Sequence, residues 1–246
     1  MALSMFSAVP LRSKLWDDSC MNLMLPCFPL VGVLLGSFWW GLSEILVFAD
    51  IHIMLMSAIL AVTPFLLSGF LHLDGYMDTS DAILSRKPLE DKLRILKDPH
   101  PGAFAVIMLA VLFLLQFAAM FAALDGGAEW MLLAFIVVIS RCCSAIAMLS
   151  LKAMPQSSYA NLFRENSGAV HKGFVMMVLI LTLGAACLLT GMQGLIVAAA
   201  VVLGFTCAMA YSYNEFKGNS GDLTGFSLVV SELCGLIALA TVQLVI

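Results

Sequence analysis

Seven apolar stretches, each long enough to cross a bilayer, leave this chain few folds to choose from. They cover roughly 28–48, 52–73, 102–124, 130–151, 173–191, 194–212 and 225–246, and a spanning helix needs about 20 mostly apolar residues. Only 11% of the 246 residues are charged, against about 25% in a soluble domain, so a water-facing surface could not be covered. Backbone groups in hydrocarbon must be satisfied within the segment, which runs of this length achieve as helices. The expected fold class is all-α, a polytopic integral membrane protein of about seven transmembrane helices. It is expected to form a single membrane-embedded domain over 1–246.

The basic residues set an orientation, because loops rich in Lys and Arg stay in the cytoplasm. Arg12 and Lys14 precede the first stretch, and Arg86, Lys87, Lys92, Arg94 and Lys97 follow the second. Lys152, Arg164 and Lys172 belong to the loop after the fourth, and Lys217 to the loop after the sixth. All lie on one side; Arg141 falls inside a span, and the short connections after the first, third and fifth spans carry none. The N-terminus and the long loops are therefore expected in the cytoplasm, with the C-terminus outside. Residues 1–26 mix Phe6, Val9, Leu11, Leu15 and Trp16 with the two basic residues, the pattern of an interfacial segment or of an unstructured tail. The 74–101 loop alternates Ile83, Leu84, Leu89, Leu93 and Ile95-Leu96 with charges, which predicts one or two short helices at the cytoplasmic surface between spans two and three. A net charge of −4 does not suit nucleic-acid binding. The seven cysteines are scattered without a C-x-x-C, so no disulfide framework or zinc site is expected.

Chemistry concentrates on that same side. The segment Gly69–Ala82, GFLHLDGYMDTSDA, holds Asp74, Asp78 and Asp81 at spacings of four and three, which a helix places on one face. Three carboxylates that close repel one another and accept hydrogen bonds only. A hard cation such as Mg²⁺ would hold them together; a solvated acidic helix start is the plainer alternative. His72, two residues before Asp74, is a candidate base or substrate contact, or else a satisfied interfacial histidine. Lys97-Asp98-Pro99-His100-Pro101-Gly102 enters the third span, and Gly218-Asn219-Ser220-Gly221-Asp222-Leu223-Thr224-Gly225 enters the seventh. Turns of this kind before a helix can bind phosphate but are also ordinary loops. Within the spans, Arg141 and Glu232 form either a structural ion pair or a cavity floor at which Arg141 meets a phosphate.

These motifs together resemble the cobalamin synthase family, the adenosylcobinamide-GDP ribazoletransferases, whose signature reads close to G-G-x-H-L-D-G-L-x-D-x-x-D-G. His72, Leu73, Asp74, Gly75, Asp78, Thr79 and Asp81 match. Further along, Phe28-Pro29-Leu30-Val31-Gly32, Lys97-Asp98, Ser140-Arg141, Gly221-Asp222 and Ser231-Glu232 are similar to family motifs. Phe70 and Ala82 stand where the family commonly has glycine, and Pro99-His100-Pro101-Gly102 replaces a stretch bearing serine and arginine.

The resemblance implies a Mg²⁺-dependent phosphotransferase of cobalamin biosynthesis. A hydroxyl of α-ribazole, or of its 5′-phosphate, attacks adenosylcobinamide-GDP and GMP leaves. Asp74, Asp78 and Asp81 would hold the metal, one of them or His72 would take the proton, and Lys97, Asp98, Arg141, Asn219, Asp222, Thr224 and Glu232 would bind the pyrophosphate or complete the shell. The resemblance also implies the bacterial cytoplasmic (inner) membrane, a cytoplasm-facing active site, and partners that include the lipid bilayer, a second copy of the chain and other cobalamin-assembly enzymes. A CDP-alcohol phosphatidyltransferase would share the chemistry, but Asp74-Gly75 is followed by Tyr76-Met77-Asp78, not by the Ala-Arg of that signature. A small-solute transporter would place its ionisable residues near the bilayer midplane, whereas here they crowd one surface.

Overall fold

The computed structural model describes residues 1–10, 18–155, 157, 163 and 167–242. Arg12, Lys14 and Arg164 of the orientation argument lie outside the described residues, as do Leu11, Leu15, Trp16 and the last four residues of the seventh stretch. Among the described residues there is no strand, only an isolated parallel bridge between Ala153 and Asn219. The elements are α1 (Ala2–Phe6), a 3₁₀ turn (Asp18–Leu23), α2 (Phe28–Phe48), α3 (Ile53–Leu67), α4 (Leu71–Leu84) and α5 (Leu89–Ile95), then α6 (Ala103–Asp125), α7 (Met131–Ser150), α8 (Ala169–Phe216) and α9 (Gly221–Val242).

Each apolar stretch of the sequence is helical over most of its length. Five helices (α2, α6, α7, α8 and α9) are long and apolar enough to cross a membrane, and α3 with α4 makes a sixth candidate if that bent pair counts as one span. The chain is thus a multi-pass membrane protein. Its exposed leucines and isoleucines, such as Leu114, Ile180, Leu181 and Leu203, are what a lipid-facing surface requires.

Two departures from regular helix shape the bundle. Gly191 interrupts α8 with φ 61° and ψ −135°, a conformation that costs glycine little. Gly194 then packs directly on the carbonyl of Ala186. A straight helix would set those residues about 12 Å apart, so α8 is sharply kinked at Gly191 into two limbs, the two apolar stretches 173–191 and 194–212. The second departure follows α3. Gly69 and Phe70 both take left-handed φ (63° and 62°), and α4 leaves at 93° to α3. The 52–73 stretch is therefore a 15-residue helix, about 22 Å long, followed by a corner. With its axis turned this far, α4 runs across the end of the bundle instead of extending a span.

The core centres on α7, where Leu132, Leu133, Ile136, Ile139, Cys142 and Ala145 are fully buried among α2, α8 and α9. Close approach of α2 depends on Gly32 and Gly36. A Cβ at Gly32 would stand 2.8 Å from Cδ of Arg141, and one at Gly36 would stand 2.9 Å from Cα of Ala134. Small residues four apart play this part where no hydrophobic force separates helix from lipid. Pro64 inside α3 cannot donate to the Leu60 carbonyl, and the Trp39 indole N–H takes its place at 2.9 Å. The Gln116 amide serves Ala61 in the same way, also at 2.9 Å. In hydrocarbon a carbonyl left without a donor is costly, so these two side chains tie α2 and α6 to the proline turn.

Candidate active site

Helix α4 carries the aspartate motif, and the N-terminal ends of α2, α6 and α9 all come to it. Near α2, the Phe28 ring lies 5.6 Å from that of His72. At α6, the Ala105 N–H donates to Asp81 Oδ1 at 3.3 Å, so Asp81 caps the first turn of that helix and opposes its positive end. A Cβ at Gly102 would run into the same carboxylate. At α9 the contact is backbone to backbone. A Cβ on Gly75 would sit 2.8 Å from the Asp222 carbonyl oxygen and 2.9 Å from its Cα, while one on Gly225 would sit 3.3 Å from the carbonyl oxygen of His72. Two glycines thus let α4 and α9 touch. Tyr76 locks the crossing, stacked on Phe226 at 5.7 Å with its hydroxyl donating to the Met108 carbonyl at 3.3 Å.

This crossing brings a fourth carboxylate to the motif. Asp74 is exposed, whereas Asp78, Asp81 and Asp222 are half-buried. Asp222 neighbours Asp74, and Ser220 donates to its Oδ2 at 3.4 Å. Partial burial, with the charges of Asp74, Asp222 and Asp81 nearby, pushes the carboxyl of Asp78 up to about 7. Among the described residues none of the four is in an ion pair. Negative charge is concentrated here without a protein cation to balance it. No group of three His, Cys, Asp or Glu side chains among the described residues forms a ready-made ion site. The donor set instead suits an ion that takes one or two carboxylates and completes its shell with water and phosphate, the usual habit of Mg²⁺.

The other candidate residues divide between the site and the scaffold. Asn219 is fully engaged: its Nδ2 donates to the Ala147 carbonyl at 3.3 Å, and its Oδ1 accepts from the Thr224 hydroxyl at 3.0 Å. Its backbone bonds to Lys152 and Met154, so it latches the end of α7 to the start of α9. The Thr224 hydroxyl also donates to the Ser220 carbonyl at 2.8 Å. Arg141 and Glu232 form a buried ion pair with Ser140 donating to Glu232 at 2.7 Å. Arg141 Nη1 also reaches Ser140 and the Val137 carbonyl. At 1% exposure the guanidinium is covered, so the observed arrangement is the structural pair. Lys97 and Asp98 lie exposed on the connection between α5 and α6. There Asp98 accepts from the backbone N–H of His100 and pairs with its ring, both at 3.0 Å, which holds its carboxyl below the usual range. Neither makes a hydrogen bond or ion pair to the aspartate cluster.

Beside the carboxylates lies a cavity of about 280 Å³, lined by Phe28, His72, Asp74, Ser144, Met148 and Asp222 among others. His72 is a buried side chain whose Nε2 has no partner. In the regular helix of α4 it diverges from the Asp74 face. Ser144 was not singled out in the sequence, although a polar residue one turn beyond Ser140 in an apolar span was a signal that could have found it.

Comparison with known proteins bears on the whole chain. A family model described as cobalamin-5-phosphate synthase matches residues 1–240. A protein of Clostridium botulinum (strain Alaska E43 / Type E3) named adenosylcobinamide-GDP ribazoletransferase is 36% identical over 240 residues, 96% of this chain and 94% of the relative. Proteins with the same name from Lachnoclostridium phytofermentans and Pseudomonas putida (strain W619) are each 33% identical, covering 100% and 97% of this chain and 94% and 96% of their own lengths. No solved structure matches.

Proposed function

Because the chain belongs to the cobalamin-5-phosphate synthase family, we propose that it joins adenosylcobinamide-GDP to α-ribazole, or to its 5′-phosphate, in assembly of the cobalamin nucleotide loop. The observation that carries this reading is the α4–α9 crossing, which sets Asp74 and Asp78 beside Asp222 without a cation among the described residues to balance them.

In the proposed reaction the acceptor hydroxyl oxygen bonds to the phosphorus carried by cobinamide. The bridging P–O bond to GMP breaks, and GMP leaves with the electron pair. Asp78, half-buried beside Asp74 and Asp222, is the carboxylate we assign to take the proton from the attacking hydroxyl. Asp74 and Asp222 would hold Mg²⁺, with the free Oδ2 of Asp81 available to it. When bound, that ion neutralises the pyrophosphate and aligns the displacement. The N-terminal ends of α6 and α9 present positive partial charge to the same anionic substrate. A corrinoid too large for the cavity would rest at the membrane surface above it. The basic loops support a cytoplasmic orientation of this face in a bacterial inner membrane. Purified protein in lipid, given both substrates and Mg²⁺, is expected to release GMP, and Asp78→Asn is expected to insert and fold but release none. Near-normal turnover by that variant would overturn the assignment of Asp78.

A further inference from the structure

Helix α7 borders two separate hollows. Met148 lines the cavity beside Asp74 and Asp222, while Ala147 and Leu151 line a groove of about 520 Å³. The groove's walls are Ile146 and Ala147 of α7, Met176 and Leu179 from one limb of α8, and Phe205 and Met209 from the other. From Cys143 to Leu151 it follows α7 for about 12 Å, most of the ~15 Å that one leaflet contributes to the hydrocarbon core. Thr206 in its wall spends its hydroxyl on the Val202 carbonyl at 2.7 Å. The other polar residues, Ser150, Tyr213 and Asn214, all come from the last turns of α7 and α8. A second hollow, of about 510 Å³, adjoins the groove, with Met176 in the wall of both. There Lys172 is flanked by Gly168 and Gly173, where an added Cβ would meet nothing within 4 Å. Among the described residues Lys172 is in no ion pair.

We propose that the groove and the adjoining hollow together hold one anionic phospholipid, with an acyl chain along α7 and the headgroup phosphate beside Lys172. An apolar groove between spanning helices is reached from the bilayer, and lipid tails are as apolar as its walls. Charge selects the headgroup. A lysine at the membrane surface attracts anionic lipid, and no described Asp or Glu lines either hollow to oppose it. A helix of a second copy could fill the groove but would bring Lys172 no anion. The lipid is on this account structural: it fills the gap between α7 and the two limbs of α8 and takes no part in the phosphoryl chemistry.

The test follows lipid on purified full-length protein in detergent by native mass spectrometry, as phosphatidylglycerol or phosphatidylcholine is titrated in. A single phosphatidylglycerol is expected to bind saturably, about fivefold tighter than phosphatidylcholine, and to raise the unfolding temperature. Lys172→Gln should bring that preference close to unity and leave phosphatidylcholine binding as it was. Ala210 is exposed in the groove wall, so Ala210→Trp, which sets an indole there, should remove binding of both lipids. If Ala210→Trp fails to fold, Lys172→Gln decides alone. No saturable lipid on wild-type protein, an unchanged preference in Lys172→Gln, or unchanged binding in folded Ala210→Trp would overturn the proposal. Wild-type dimers that phosphatidylglycerol does not dissociate and Ala210→Trp does would overturn it in favour of a second copy in the groove.

Discussion

Replacing Gly75 with alanine tests whether the meeting of α4 and α9 sets the geometry of the carboxylates. The new Cβ would start 2.8 Å from the Asp222 carbonyl oxygen and 2.9 Å from its Cα. Ordinary contact is about 3.5 Å or more, so the helices must part by roughly 0.6 Å at the point where Asp74 and Asp78 face Asp222. Alanine gains about 1 kcal/mol over glycine in helix propensity, which offsets part of an overpacking cost of about 1–3 kcal/mol. Folding should therefore survive. Catalysis should not, because a misplacement approaching 1 Å can cost about a hundredfold; a loss of ten- to hundredfold in kcat is expected. Two other variants grade the effect. Gly225→Ala, with 3.3 Å to the His72 carbonyl oxygen, should lose less, and Gly41→Ala, with nothing within 4 Å, should keep full activity. GMP release by purified protein in lipid, alongside thermal unfolding, reads both quantities. Full kcat in Gly75→Ala would refute the claim that this contact sets the site.

Other substitutions address the scaffold and the charges. Arg141→Met or Glu232→Gln alone leaves a buried charge unpaired, at about 3–5 kcal/mol; the double variant should be more stable than either single one, as a thermodynamic cycle would show. Phe70 has φ 62° and is 47% exposed, so Phe70→Gly should relieve about 1 kcal/mol of left-handed strain and raise the unfolding temperature. In metal-free protein the raised carboxyl of Asp78 favours its neutral form in the fold. Its contribution is fully present below the ordinary value of 3.8 and is lost as pH rises through about 7. Asp78→Asn, which keeps the neutral form, should therefore gain stability relative to wild type between pH 4 and 8 without divalent cation, and gain less with Mg²⁺; a difference that does not change with pH in metal-free protein would contradict it.

Where a feature depended on residues close in sequence, it could be read from the sequence. The spacing of Asp74, Asp78 and Asp81 already defines one helical face, and the structure adds only that α4 begins early enough to include His72. Opposite charges in two apolar spans, Arg141 and Glu232, admitted an ion pair before any coordinates. What escaped the sequence was settled by distant partners or by backbone angles. Hydropathy takes 52–73 as one span because it does not register left-handed residues at 69 and 70. Asp81 looked like its neighbours until the first turn of α6 proved to be bonded to it. Asn219 sits in a glycine-bearing turn of the kind that binds phosphate, yet its amide is spent on Ala147 and Thr224. The ion pair between Lys92 of α5 and Glu215 of α8 joins residues far apart in the chain, with no local pattern to announce it.

The account stands on carboxylates from α4 and α9 acting with a divalent cation on a nucleotide-activated phosphate. The direct measurement is product formation by purified protein in lipid, given adenosylcobinamide-GDP and α-ribazole, as Mg²⁺ is titrated in and then chelated. GMP and joined product should appear in equal amounts, only while the cation is present, and stop on chelation. Undiminished turnover in chelator would contradict the metal role, and no product at any Mg²⁺ concentration would contradict the reaction itself.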